Sequence, residues 1–349
     1  MHTNHKLAKL QQTRIQKSCH QSTANTFFNL LTSPELLSVV EALLPNHRER
    51  RFPPTETLSM FLAQAMEADS SCQNVINEVA LKRALYGLSL CSTNTGSYCK
   101  ARQRLPLSMV SELVRYTGRK MANTAAMDWH WQGRAVRLID GTTVELPDTD
   151  ENRRVYPQTR TGSGCPLSRL VGVICLASGG LLNAAIGPFA GKGSGEQTLL
   201  RTLLDTFETG DIVLGDAYFG TYFLLAELGS RGVDGVFEQY GARKRKLDFN
   251  QGQQLGKKDH LITYKKPKRP DWMSQSSYDT APDTLTVREL KVGHKILVTT
   301  LLCPKITPKQ ALKDLYQQRW NVELDLRNIK TTLGMGVLSC KTPQMIEKE

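Results

Sequence analysis

At Gly133 the hydrophobic period of this chain changes, and that change limits its fold more than any other feature. Before it, over residues 1–130, apolar residues recur at helical spacing and strand signals are scarce. Ser33-Pro34-Glu35 opens a helix over 36–44, with proline at the first helical position. Further helices are expected over 57–66, 74–85, 95–105 and 107–121, the last two split at Pro106. After Gly133, residues 134–145 alternate and are rich in β-branched side chains. Residues 170–177, the turn Ser178-Gly179-Gly180 and residues 181–186 read as a hairpin. A helical segment followed by alternating strands and helices gives an α/β chain behind an all-α N-terminal domain. The expected boundary is at residue 130, with the second domain over 131–349.

Two apolar strands in that second part end in an acid. Val136-Arg137-Leu138-Ile139 leads into Asp140-Gly141-Thr142-Thr143, and Ile212-Val213-Leu214-Gly215 leads into Asp216-Ala217-Tyr218-Phe219. A carboxylate buried there without a partner is costly. One such acid alone commonly caps the following turn. Two of them in a basic protein point to a shared site where a cation offsets their repulsion. Ser194 and Gln197 read as a capping box opening a helix over 195–207, and further elements are expected at 222–229 (helix) and 233–237 (strand). Gly191-Lys192-Gly193-Ser194 lacks the spacing of a phosphate loop.

Residues 238–303 are too long for a loop and carry strand patterns at 285–292 and 295–302, so they read as a β-rich insertion. Thr307-Pro308-Lys309-Gln310 then opens a long helix expected to reach about Leu333, where Gly334 and Gly336 end it. On an uninterrupted helix Tyr316, Arg319, Glu323 and Lys330 fall at about 0°, 300°, 340° and 320°, a stripe some 60° wide. Leu315, Val322, Leu326, Ile329 and Leu333 form an adjacent apolar stripe at about 220–280° that would pack on the sheet. An ordinary amphipathic helix explains Arg319–Glu323 as an i,i+4 pair, but not Tyr316 and Lys330 on the same line.

The spacing Tyr316-x2-Arg319-x3-Glu323-x6-Lys330 resembles the Y-R-E-K signature of bacterial transposases in the group named for insertion sequence 4. The blocks at Asp140 and Asp216 resemble that group's first and second acidic motifs, and the likeness spans roughly residues 95–345. The resemblance implies a ribonuclease-H-like catalytic domain, a mixed sheet flanked by helices, in which Asp140, Asp216 and Glu323 hold two Mg²⁺ ions. Mn²⁺ can substitute, because all the ligands are oxygens. It implies that Tyr316, Arg319 and Lys330 grip DNA phosphates, that the enzyme cleaves element ends and joins the 3′ hydroxyl to target DNA, and that it acts as a homodimer in a bacterial cytoplasm, near the nucleoid. Two rivals are a transposase-derived protein that binds DNA without catalysis and another ribonuclease-H-like nuclease.

Composition supports a polyanionic partner. Lys and Arg outnumber Asp and Glu by 45 to 33, a net +12. Ten bases lie between residues 241 and 270: Arg243, Lys244, Arg245, Lys246, Lys257, Lys258, Lys265, Lys266, Lys268 and Arg269, opposed by Asp248 and Asp259. Such a stretch reads either as a solvated face or as a phosphate-tracking surface. Lys100, Arg102 and Arg104 likewise fit DNA contact or the outside of a helical bundle. Packing inside the insertion accounts for Tyr264 and Trp272 better than stacking on bases does. The eight cysteines form no C-x-x-C pair, and no apolar run approaches the length of a membrane span, so a reduced cytosolic protein without a membrane partner is expected. Thr342-Pro343 signals a further helix with only six residues left after the proline. The family resemblance implies a further apolar helix there, so the expectation is a C-terminally truncated transposase.

Overall fold

The computed structural model describes residues 34–44, 51–66, 69–89, 91–157, 164–191, 193–239, 241, 247–320 and 335–349. The chain divides into two compact units, residues 1–113 with 347–349, and residues 114–346.

In the first unit the described elements are helices: α1 (Pro34–Ala42), α2 (Pro54–Met66), α3 (Cys72–Leu85) and α4 (Gly96–Arg104), followed by the start of α5 (Leu107–Asn123). Ser71 caps α3 by accepting from the Asn74 N–H at 3.2 Å. Phe52, Met60, Val75, Ile76, Tyr98 and Ala101 form a small core. Gln64 ties it together: its Oε1 accepts from the Tyr98 hydroxyl (2.9 Å) and from Arg102 Nη1 (3.0 Å). Arg102 is buried, with its guanidinium over the Phe61 and Tyr98 rings. It therefore serves the helix core rather than an outer face, while Lys100 and Arg104 are exposed.

The second unit is built on one nine-stranded sheet, ordered β3-β2-β1-β4-β5-β9-β8-β7-β6. The strands are β1 (Val136–Glu145), β2 (Leu167–Cys175), β3 (Leu181–Pro188), β4 (Ile212–Gly215), β5 (Asp234–Glu238), β6 (Gln253–Gly256), β7 (Asp259–Lys265), β8 (Thr284–Val292) and β9 (Lys295–Thr299). The hairpin expected across Ser178–Gly180 forms as antiparallel β2–β3. β1, β4 and β5 run parallel, as apolar strands joined by crossovers do. The strands of the insertion extend the same sheet. β9 pairs antiparallel with β5, and β8, β7 and β6 follow in turn, so the sheet continues without interruption.

Helices cover both faces. On one, α7 (Glu196–Arg201), the 3₁₀ turn Leu204–Thr206 and α8 (Tyr222–Ser230) pack Leu200, Leu203, Leu224 and Leu228 against Ile139, Val171, Val213 and Phe237. On the other, Leu312, Leu315 and Tyr316 of α10 (Lys309–Gln317) pack on Leu138, Leu214, Val236, Leu290 and Leu297. The short α6 (Asp150–Val155) and α9 (Gln275–Thr280) lie in connections. α5 reaches the β3 backbone directly. A Cβ on Gly118 would stand 2.0 Å from the Leu181 carbonyl oxygen, so only glycine permits this approach. At the end of β1, the Glu145 N–H donates to the Gly336 carbonyl (3.0 Å) and the Leu338 N–H to the Glu145 carbonyl (2.9 Å), a parallel bridge of Glu145 with Val337. α11 (Pro343–Lys348) buries Met345 and Ile346, more apolar cover than its length suggested. Among the described residues no helix is long and apolar enough to cross a membrane.

Three local expectations need correction. The helix expected over 195–207 stops at Arg201, and the capping box does not form. Ser194 instead donates its hydroxyl to the Gly191 carbonyl at 2.7 Å, and Gln197 reaches the Tyr218 carbonyl and the Thr221 hydroxyl (3.2 Å). Thr307 does not cap α10; its hydroxyl donates to the Cys303 carbonyl at 2.8 Å. The long helix is also not uninterrupted. After Gln317 the N–H groups of Gln318 and Arg319 bond to Leu315 and Tyr316, three residues back, before Trp320 is helical again. Val322, Leu326, Ile329 and Leu333 lie outside the described residues.

Candidate active site

Sheet register assembles the site. β1 and β4 pair in parallel as far as Leu138 with Leu214, and Asp140 and Asp216 each follow two residues later. β4 and β5 pair as far as Gly215 with Phe237, so Glu238 follows on β5 where Asp216 follows on β4. Side chains alternate along a strand, so Asp140 and Glu238 share the face of Leu138 and Val236, the face that α10 covers. Asp140 lies inside β1 rather than at its end, opposite Gly172 of β2. Each aspartate uses one oxygen locally: Asp140 Oδ1 accepts from the Gly141 N–H (2.9 Å) and Asp216 Oδ1 from the Tyr218 N–H (2.8 Å). The turn-capping contact expected of a lone acid is thus present at Asp216, alongside its place in the row.

Tyr316 links α10 to this row. It is buried, and its hydroxyl donates to the Gly215 carbonyl at 3.3 Å, the residue before Asp216. Burial pushes the phenol far above its usual range; the Arg319 cation opposes the rise, and the carboxylates of Glu238 and Asp216 add to it. The phenol therefore stays protonated and serves as a donor. Arg319 is nearly buried with its guanidinium 5.9 Å from the Tyr316 ring centre. Lys295, at the start of β9, pairs with Glu238 at 3.1 Å and lies 5.4 Å from the same ring centre.

On the other side stands Glu196, the first residue of α7. Its carboxyl occupies the space a side chain on Gly141 would need, since a Cβ there would meet Glu196 Cδ at 2.4 Å. Burial raises the Glu196 carboxyl above its usual range; the Arg169 guanidinium, 3.8 Å away, opposes this and the Asp216 carboxylate reinforces it. Arg169 also donates to the Ser194 carbonyl (2.9 Å) and stacks on Phe189.

Of the residues singled out from the sequence, Asp140, Asp216, Tyr316 and Arg319 come together. Glu323, Lys330, Arg243, Lys244, Arg245 and Lys246 lie outside the described residues. Lys265 is the last residue of β7 and Lys266 follows it, paired with Asp283 at 2.9 Å. Sequence reasoning passed over Glu196, Arg169, Glu238 and Lys295. Glu238 carried the same signal as the two aspartates, an apolar strand, Val233-Asp234-Gly235-Val236-Phe237, ending in an acid.

Among the described residues no group of three or more His, Cys, Asp or Glu side chains converges as a metal site. Asp140 and Asp216 nonetheless supply carboxylates from neighbouring parallel strands, an all-oxygen set that fits a hard divalent cation. The family described as "Transposase DDE domain" matches residues 131–349. The chain is 29% identical over 326 residues, 90% of its own length and 71% of the relative's, to the "Transposase InsG for insertion sequence element IS4" of Escherichia coli (strain K12). It is 31% identical over 139 residues, 39% of this chain and 46% of the relative's, to the "Putative transposase InsZ" of the same organism. The chain belongs to the DDE transposases of the insertion sequence 4 family, enzymes of DNA transposition.

Proposed function

We propose that this transposase cleaves DNA at the ends of its insertion sequence and joins the freed 3′ hydroxyl to target DNA, with Asp140, Asp216 and Glu323 as its acids. The observation that carries this reading is the equal offset of Asp140 and Asp216 past the last paired residues of β1 and β4, under α10. Two divalent cations, Mg²⁺ or in its place Mn²⁺, would be held by these carboxylates and would supply activation of the attacking oxygen and stabilisation of the leaving one. In the joining step the 3′ oxygen bonds to a target phosphorus, the bond from that phosphorus to its own 3′ oxygen breaks, and the proton lost by the attacking hydroxyl is matched, through water, by one gained by the leaving 3′ oxygen.

The chain's own part is placement. β1 and β4 fix two acids on a rigid sheet, Tyr316 anchors α10 to Gly215, and Arg319 offers a planar cation to phosphate oxygens without reading bases. Lys330 and the run Arg243–Lys244–Arg245–Lys246 are further phosphate contacts in this reading. So are Lys265 and Lys266, the latter paired with Asp283. Residues 1–130 form a helical DNA-binding domain, residues 131–349 the catalytic domain interrupted at 238–303, and two copies pair two element ends in the bacterial cytoplasm.

Asp140→Asn, Asp216→Asn and Glu323→Gln are each expected to abolish nicking and strand transfer in Mg²⁺ while leaving end binding largely intact, because affinity comes chiefly from phosphate contacts. Near-normal strand transfer by any one variant would remove that acid from the site. A folded wild-type protein that binds end DNA and never nicks it would favour a DNA-binding role without catalysis.

A further inference from the structure

The first unit places two thiols in contact. Cys72 is the first residue of α3, directly after the Ser71 cap, and Cys99 lies in α4 between buried Tyr98 and exposed Lys100. They stand 27 positions apart in the chain, yet their sulfurs are 3.7 Å from each other. Both side chains are half-buried, which leaves each open to a small reagent. Separate contacts hold this approach. Gln73 Nε2 donates to the Thr93 carbonyl (3.1 Å), tying the start of α3 to the segment before α4. Gln64 of α2 donates to the Ser70 carbonyl (2.6 Å) and to the Cys72 sulfur (3.7 Å), while its Oε1 receives Tyr98 and Arg102 of α4. Cys72 also packs against the core that contains Ile76 and Tyr98. The folded helices, not nearness in sequence, bring the pair together.

A disulfide needs its sulfurs about 2.05 Å apart, so closure asks for a movement of about 1.7 Å, within reach of rotation about the two Cα–Cβ bonds. The thiolate is the form that reacts. Burial pushes the Cys72 thiol up; the Arg102 cation opposes this, Cys99 adds to it, and the Gln64 amide opposes it further. In a reducing compartment the pair therefore persists as two thiols. Cys303 is the contrasting case. It is exposed, and backbone hydrogen bonds from Ile306 and Lys305 hold its thiol below the ordinary range. It is thus a readily modified cysteine in the other unit and an internal control for the pair.

We propose that Cys72 and Cys99 are a modification site, a dithiol that a low-molecular-weight disulfide converts reversibly into a cross-link between α3 and α4. One cysteine thiolate attacks a sulfur of the reagent and expels a first thiol, leaving a mixed disulfide on the protein. The other cysteine attacks the protein sulfur of that bond and expels the second thiol. The chain gives up two electrons and two protons, and both protons end on the released thiols. Because the second sulfur already stands 3.7 Å away, the mixed disulfide collapses instead of accumulating. The cross-link encloses the whole of α3 in a covalent loop and restricts the unfolded chain, so the oxidised form is the more stable one. Gln64 keeps its bonds to Ser70, Tyr98 and Arg102 in either form, so the helices need not rearrange.

The test incubates the full-length protein with oxidised glutathione, blocks the remaining thiols with N-ethylmaleimide, and maps the unreduced digest by mass spectrometry. The peptides holding Cys72 and Cys99 are expected to be joined to each other and free of glutathione, while Cys303 carries a glutathione adduct. The melting temperature of the oxidised protein is expected to rise by about 5 °C or more and to fall back on treatment with dithiothreitol. Cys72→Ser and Cys99→Ser, oxidised in the same way, are each expected to lack that rise and to hold a stable glutathione adduct on the cysteine that remains. Cys72→Ala and Cys99→Ala replace them should either serine unfold the chain, and the wild-type map decides the pairing without any variant. Three results overturn the site: glutathione on both cysteines of the wild type with no joined peptide, a cross-link that forms only in urea, or an oxidised form no more stable than the reduced one.

Discussion

Gly141 shows how one missing methyl group shapes the site. The residue after Asp140 must leave room for the Glu196 carboxyl, and that carboxyl in turn stands between Arg169 and the field of Asp216. Gly141→Ala would push against the far end of a flexible side chain, so the fold is expected to survive with a cost of about 1 kcal/mol or less. Glu196 would swing away, and strand transfer is expected to fall at least tenfold with end binding unchanged. Thermal melting and a strand-transfer assay on the same sample check this; a fully active Gly141→Ala protein would show that the Glu196 position is irrelevant to the reaction. The glycine was visible in the sequence, but its reason was not, because Glu196 is brought to it by a helix 55 residues later.

At the scale of elements, α10 and the turn after it carry Tyr316 and Arg319 towards the acids through only a few buried contacts. Leu312 and Leu315 are fully buried against Leu138, Leu214 and Val236. Leu315→Ala is expected to cost about 2–5 kcal/mol and to lower activity with it, measurable by urea unfolding. The strands and the β2–β3 hairpin were legible because alternation and Gly-Gly turns are local signals. The capping boxes at Ser194 and Thr307 were misread because both hydroxyls found tertiary partners, Gly191 and Cys303. The break after Gln317 was invisible to periodicity, since three-residue hydrogen bonds leave the apolar spacing unchanged. The basic stretch was legible as charge, but a charge window does not show pairing: Lys266 meets Asp283 at 2.9 Å.

At the scale of the second unit, β5–β9 pairing fuses the insertion to the catalytic strands, with Phe237 opposite Val298. Amide exchange of β5 and β9 is expected to occur in one cooperative opening; earlier exchange of β6–β9 as a group would show a separable module. The seam between Glu145 and residues 336–338 has a consequence in time. It joins segments some 190 residues apart, which a ribosome adding 5–20 residues per second separates by about 10–40 seconds. For most of that interval the nascent chain carries Asp140 and then Asp216 before α10 has been made, and the backbone groups of Glu145 wait for residues 336–338 until the end.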